Sequence, residues 1–288
     1  TSYGLSLSSQ PERHDASKKS QWPTGIIVGN EFKGLYYGFY SYEARAVKII
    51  GNTYSDCILY GIDPHDRSTE LVIARNTATG TLEKHGIIGS RGISHSFIFD
   101  NSSHDNHGSG IMLDRQCKGN IVCNNKVFNN GQGIAIYESR GNIIAENTVV
   151  QNKKSGIRVR NSQGTIVVDN KIVGNGDYGL EVYAKQLDDH AKRMQRGDLY
   201  DEVVSVSVFG NVVAGNQGGV VKGNNVTYLA LRDIQTNTDL NKLESRTGLA
   251  NITLYRDEDT SFGSGLKQYA SQLDRVFDES RPLVELRR

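Results

Sequence analysis

The chain has 288 residues, with 33 Lys and Arg against 32 Asp and Glu and a formal net charge of +1. That balance excludes a global field suited to nucleic acid or an anionic membrane, so any polyanion-binding surface must be local. No stretch approaches the ~18–20 apolar residues that a membrane helix needs, and 37% hydrophobic content with 31 Gly but 4 Pro calls for a thin, regular core.

Neither an initiator Met nor a signal-peptide pattern stands at Thr1, so the expectation is a mature or shortened chain whose export signal is not present in it. Residues 1–23 read as an incomplete coil, because Gly4-Leu5-Ser6-Leu7 echoes a repeat that then sets in fully. A Gly followed by an apolar residue recurs at Gly38, Gly61, Gly86, Gly110, Gly133, Gly156 and Gly179, with gaps of 23, 25, 24, 23, 23 and 23 residues. A second register runs through Asn52, Asn76, Asn101, Asn125, Asn147 and Asn170. A third, Asn106, Asn129, Asn152 and Asn175, sits four residues before its Gly.

A 23-residue period holding three short apolar runs leaves no space for a helix of ordinary length. That excludes helical repeats and most leucine-rich arrangements. What remains is an all-β solenoid, a coil of about three short parallel strands stacked ~4.8 Å above its neighbour. In it the Asn columns form side-chain ladders, and Asn and Gly supply left-handed backbone at the corners. Cys57, Cys117 and Cys123 lack metal-ligand spacing and read as small core residues. Beyond Tyr183 the period is interrupted by a polar, helix-compatible insertion at about 184–202, then resumes at Ser205 to Asn211 and at Gly219. From Leu240 it fades, and Gly265 to Glu279 reads as an amphipathic helix. Residues 1–239 are therefore taken as one β-helix and 240–288 as a strand and helix cap over its open end.

Aligning the coils on the repeat Gly turns the sequence into columns. Four residues after Gly stand Tyr42, His65, Ser90, Asp114, Tyr137, Arg160 and Tyr183. Five after stand Glu43, Asp66, Arg91, Arg115, Glu138 and Asn161, and two after stand Tyr40, Asp63, Arg158 and Glu181. Such a ridge of rings, carboxylates and guanidinium groups suits an extended groove for an acidic polysaccharide, since Arg binds carboxylates in bidentate fashion. Its densest point is Tyr60-Gly61-Ile62-Asp63-Pro64-His65-Asp66-Arg67, followed one coil later by His85 and Arg91. Pro64 is expected to release Asp63 and His65 from strand alternation. His65 is the natural proton acceptor near neutral pH, with Asp63 and Asp66 beside it and Arg91 placed to neutralise a substrate carboxylate.

The motif Asp63-Pro64-His65-Asp66, preceded by Tyr60-Gly61, resembles that of the periplasmic mannuronan C5-epimerases of alginate biosynthesis. The segments Tyr3 to Glu12, Tyr36 to Tyr40, His85 to Ile88, Ser90-Arg91, Leu113 to Arg115, Tyr137 to Ser139 and Gly156 to Ser162 look like that family in the same order. The resemblance implies a right-handed β-helix in the periplasm, or secreted, that turns β-D-mannuronate into α-L-guluronate within the polymer. His65 would be the base and Arg91 the carboxylate partner, with Asp63, Asp66 and Tyr60 completing the catalytic set. Tyr40, Tyr42, Arg67, His85, Asp114, Arg115, Tyr137, Glu138, Arg158 and Arg160 would hold the polymer. Water or Tyr60 would return the proton. No cofactor or metal is expected, and the calcium-binding nonapeptides of the secreted branch are absent. Alginate is the expected partner, with other alginate export proteins as further candidates. A polysaccharide lyase, sharing the first step, and a non-catalytic alginate-binding component of an export complex are the rival readings.

Overall fold

The computed structural model describes residues 2–8, 22–236 and 252–255. It is a solenoid of three parallel sheets, nine-, ten- and eight-stranded, in which each strand pairs with its equivalent in the next coil. The first sheet carries Tyr37–Tyr42, Tyr60–His65, Ile87–Ser90, Ser109–Asp114, Gln132–Tyr137, Ile157–Arg160 and Tyr178–Tyr183 in sequence order, with Tyr3–Ser8 before them and Gly219–Asn224 after. The register keeps Ile62, Ile87, Ile111, Ile134, Ile157 and Leu180 in one inward column. All of them belong to a single apolar core running the length of the coil. The three cysteines are free and buried.

The ladder through Asn52, Asn76, Asn101, Asn125, Asn147 and Asn170 forms as expected. Each amide donates to the next Asn Oδ1 at 2.9–3.0 Å, and that same oxygen takes a backbone N–H. Asn30 extends it at one end and Asn211 at the other. The third register needs a correction. The stacked residue between Asn106 and Asn152 is Asn130, whereas Asn129 takes the left-handed corner next to it at φ 56°. The repeat glycines are also not the left-handed ones. Each sits where the next coil's backbone or the third sheet approaches too closely for a side chain. A Cβ on Gly110 would lie 2.5 Å from Val127 Cγ1 and 2.6 Å from Asn130 Nδ2. Corner conformation is left instead to glycines such as Gly51 and Gly141 and to the residues five after the repeat Gly from Glu43 to Asn161.

The insertion contains the helix His190–Gln195, and the coil resumes at Ser205–Phe209. The strand Ile252–Tyr255 adds a tenth rung to the second sheet, and the helix expected over 265–279 lies outside the described residues. Among the described residues, no helix is long and apolar enough to cross a membrane.

Candidate active site

Pro64 does not free its neighbours from alternation. The strand runs in register with the coil below, Tyr40↔Asp63, Ser41↔Pro64 and Tyr42↔His65. Asp63 and His65 therefore share the outward face, while Pro64 takes the inward position that Leu113 and Ile136 fill further along. Proline has no N–H to give to a ladder, and towards the next strand the pairing is held at Ile62↔Ile87. Immediately after His65 the chain turns through Asp66 and Arg67, both left-handed at φ 38° and 63°. The same corner is left-handed at Glu43, Arg91, Arg115, Glu138 and Asn161. One edge of the groove is thus a column of corner residues, exposed at Arg91 and enclosed at Glu43, Glu138 and Asn161.

His65 is half-buried, and its Nδ1 lies 2.5 Å from Asp66 Oδ2. Nδ1–H donates to the carboxylate, which leaves the lone pair on Nε2. Burial pushes the His65 imidazole below its ordinary value. Asp66 opposes that shift, and Arg91 and Arg115 reinforce it. The ring of Tyr40 lies 5.6 Å from that of His65.

Asp63 is 1% exposed, and its Oδ1 has no hydrogen-bond partner. Burial drives this carboxyl well above the usual carboxylate range. Its hydrogen bond with Ser90 opposes the shift, as does Arg115, while Asp66 and Asp114 add to it. Such a group favours the neutral acid, which can donate to an approaching carboxylate instead of repelling it. Burial, the largest cause, likewise pushes the Tyr60 phenol up, so it keeps its proton at neutral pH.

Arg91 is exposed, and its guanidinium makes no ion pair among the described residues. Arg115 is tied to Asp114, its Nε 3.0 Å from Oδ2. These residues, with Tyr42 stacked beneath His65, form one cluster across consecutive coils. His85 joins it from the other edge. Its ring stacks on Tyr60 at 5.7 Å, and its Nδ1 accepts the Ser109 N–H at 2.8 Å.

The other sequence-predicted groups lie further off or are engaged. Arg67 pairs with Glu43 on the corner. Arg160 pairs with Glu138 at 2.5 Å and lies 4.0 Å over the Tyr137 ring, while Arg158 pairs with Glu181 at 2.6 Å. Sequence reasoning missed two features. The residues just before the repeat Gly make an aromatic file, Tyr3 on Tyr37 at 5.0 Å, Tyr37 by Tyr60 at 5.5 Å, then His85. Reading that column would have found it. The contact of the insertion with the groove had no such signal. A cavity of about 340 Å³ lies there, lined by Asp114, Arg115, Glu138, Arg160, Lys185 and Arg193 among others. A second of about 540 Å³ lies on the corner side by Arg67, Lys118 and Tyr200. Neither includes His65.

Coil, ladder and groove together define a right-handed β-helix protein, and the chain belongs to that family. The family model described as "Right handed beta helix region" matches residues 24–187. Among individual relatives it is similar to the mannuronan C5-epimerase of Pseudomonas syringae pv. tomato, 51% identical over 127 residues, which is 44% of this chain and 24% of the relative. It is also 52% identical over 109 residues, 38% of this chain and 21% of the relative, to the mannuronan C5-epimerase AlgG of Azotobacter vinelandii. The crystal structure of the periplasmic alginate epimerase AlgG superposes with a TM-score of 0.76 at 40% identity, covering 81% of this chain and 55% of that one. The chain thus matches about a quarter of the length of those curated relatives and just over half of the solved one. The A-module of the epimerase AlgE4, at 15% identity and a TM-score of 0.55, shares the fold.

Proposed function

We propose that this chain is a mannuronan C5-epimerase that inverts C5 of β-D-mannuronate within polymannuronate, acting in the periplasm like the alginate epimerase it resembles. The observation that carries the reading is His65, its Nε2 left free by the 2.5 Å contact to Asp66, with Arg91, Arg115 and the buried Asp63 carboxyl around it. A proton α to a carboxylate is weakly acidic, and abstracting it builds enolate-like charge on the carboxylate oxygens. Arg91 and the Asp63 acid offset that charge through hydrogen bonds that strengthen as it grows. His65 takes the C5 proton through Nε2. Tyr60 lies at the opposite end of the same strand, about 16 Å away between Cα atoms at ~3.3 Å per residue. The two side chains thus flank a sugar laid across Asp63, and the protonated phenol supplies the proton on the other face. Other alginate export proteins are the partners that this setting suggests.

The test is NMR of polymannuronate incubated with the protein in deuterated water. Guluronate carrying deuterium at C5 in an uncut chain is the expected product. Chain cleavage with absorbance from unsaturated uronate would make the protein a lyase. Unchanged polymer that still binds would leave only a binding role.

A further inference from the structure

The insertion is joined to the groove by a run of alternating charges. Arg160 pairs with Glu138 at 2.5 Å, and Glu138 with Arg193 of the short helix at 2.6 Å. Arg193 reaches Asp198 Oδ1 at 3.2 Å, and Asp198 Oδ2 lies 3.8 Å from Arg115 Nη1. Glu138 and Arg193 are nearly enclosed, at 2% and 8% side-chain exposure. A buried pair of this kind is costly to break, because either partner alone is left as an uncompensated charge.

The backbone fixes the last carboxylate in this run. The helix ends at Arg196, Gly197 follows in the left-handed conformation at φ 68°, and its N–H donates to Met194 O. The Asp198 N–H then donates to Arg193 O at 3.0 Å. This is the paired C-terminal closure that left-handed glycine permits, and it sets the direction in which residue 198 leaves the helix. Asp198 thereby faces a guanidinium 83 residues earlier in the chain, the one held from its other side by Asp114.

We infer that Asp198 is a positioning residue for the reaction, holding Arg115 over the groove so that its charge falls on the sugar at His65, and that the insertion exists to bring it there. The inference rests on the epimerase reading for the identity of the sugar, but its geometry concerns Arg115 and His65 alone. It makes the 184–202 segment part of the active site and not a decoration of the coil.

The experiment compares Asp198→Asn, Asp198→Glu, Arg115→Ala and the Asp198→Asn/Arg115→Ala double variant. On polymannuronate, Asp198→Asn is expected to lower kcat about tenfold with KM changed less than threefold, and Asp198→Glu to restore most of it. In the Arg115→Ala background the Asn substitution should add nothing further. A readout free of turnover is the NMR titration of His65. If Asp198 holds Arg115 near the imidazole, releasing that cation raises the His65 pKa in Asp198→Asn. If Asp198 is only a remote anion, removing it lowers the pKa, and the inference fails. It fails equally if the kcat loss is additive with Arg115→Ala, or if Asp198→Asn changes only thermal stability. An inactive wild-type chain that still shows the upward shift overturns the epimerase reading and leaves the positioning intact.

Discussion

Two histidines in adjacent coils show how burial sets different tasks for one side-chain type. His65 faces the groove with its ordinary value of 6.5 lowered by burial and two guanidinium groups. The rate should fall with acid only below that ordinary value, because Nε2 must be bare to accept the C5 proton. Arg91→Ala should move the acid limb of kcat/KM upward, since a cation that disfavours imidazolium is gone. A limb that stays put would remove Arg91 from the vicinity of the base. His85 is neutral and accepts the Ser109 N–H, and burial pushes its pKa down to about 4. Its folded value lies below its unfolded one, so the stabilisation is complete above pH 6.5 and is lost as pH falls towards 4. The expected loss is on the order of 2–3 kcal/mol in urea unfolding at pH 4 compared with pH 7, and it should vanish in His85→Gln. Both rings could be picked out in the sequence, one from its column and one from the motif that follows. The burial that separates them could not, because it depends on which neighbours close over each ring.

At the level of strands and ladders, the period was legible because stacking demands the same residue at the same corner in every coil. Where two Asn stand side by side, as at 129 and 130, spacing cannot say which one stacks. The structure assigns Asn130, whose amide reaches both neighbours in the column. Substituting a mid-ladder residue strands partners on both sides. Asn125 accepts the backbone N–H and amide of Asn101 and donates to Ile98 O, Cys123 O and Asn147 Oδ1. Asn125→Leu should cost roughly 3–5 kcal/mol, since several buried groups lose their partners together at ~1–3 kcal/mol each. Asn30 is half-buried at the first rung, and Asn30→Leu should cost under about 1.5 kcal/mol, because water can replace what is lost. Equal midpoint shifts in chemical denaturation for the two variants would contradict the ladder as a cooperative element. The Asp198–Arg115 contact belongs to the other extreme of legibility. It joins an aperiodic insertion to a coil, and no column or spacing in the sequence brings the two together.

The whole molecule is a stack in which position along the sequence is position along the axis. Every group assigned to proton transfer lies between Tyr60 and Arg115, in adjoining turns, with Asp198 crossing to them from the insertion. On the epimerase reading the chemistry is therefore a local module within a longer track. Turns added at a distance lengthen the stretch of polymer that is held without touching the atoms that react. Duplicating the turn that spans residues 133–155 would break the insertion's reach, whereas lengthening the stack before Tyr37 would not. The latter variant should retain kcat while the shortest polymer bound well becomes longer, measured by KM against chains of defined length. The course of the first sheet along the axis, with the His65 strand third of nine, has a second consequence on the epimerase reading. A linear polymer laid along that sheet would meet the reacting groups part-way down the stack, so the sugars inverted need not begin at a chain terminus, and an interior block of product would grow from wherever the first encounter occurs.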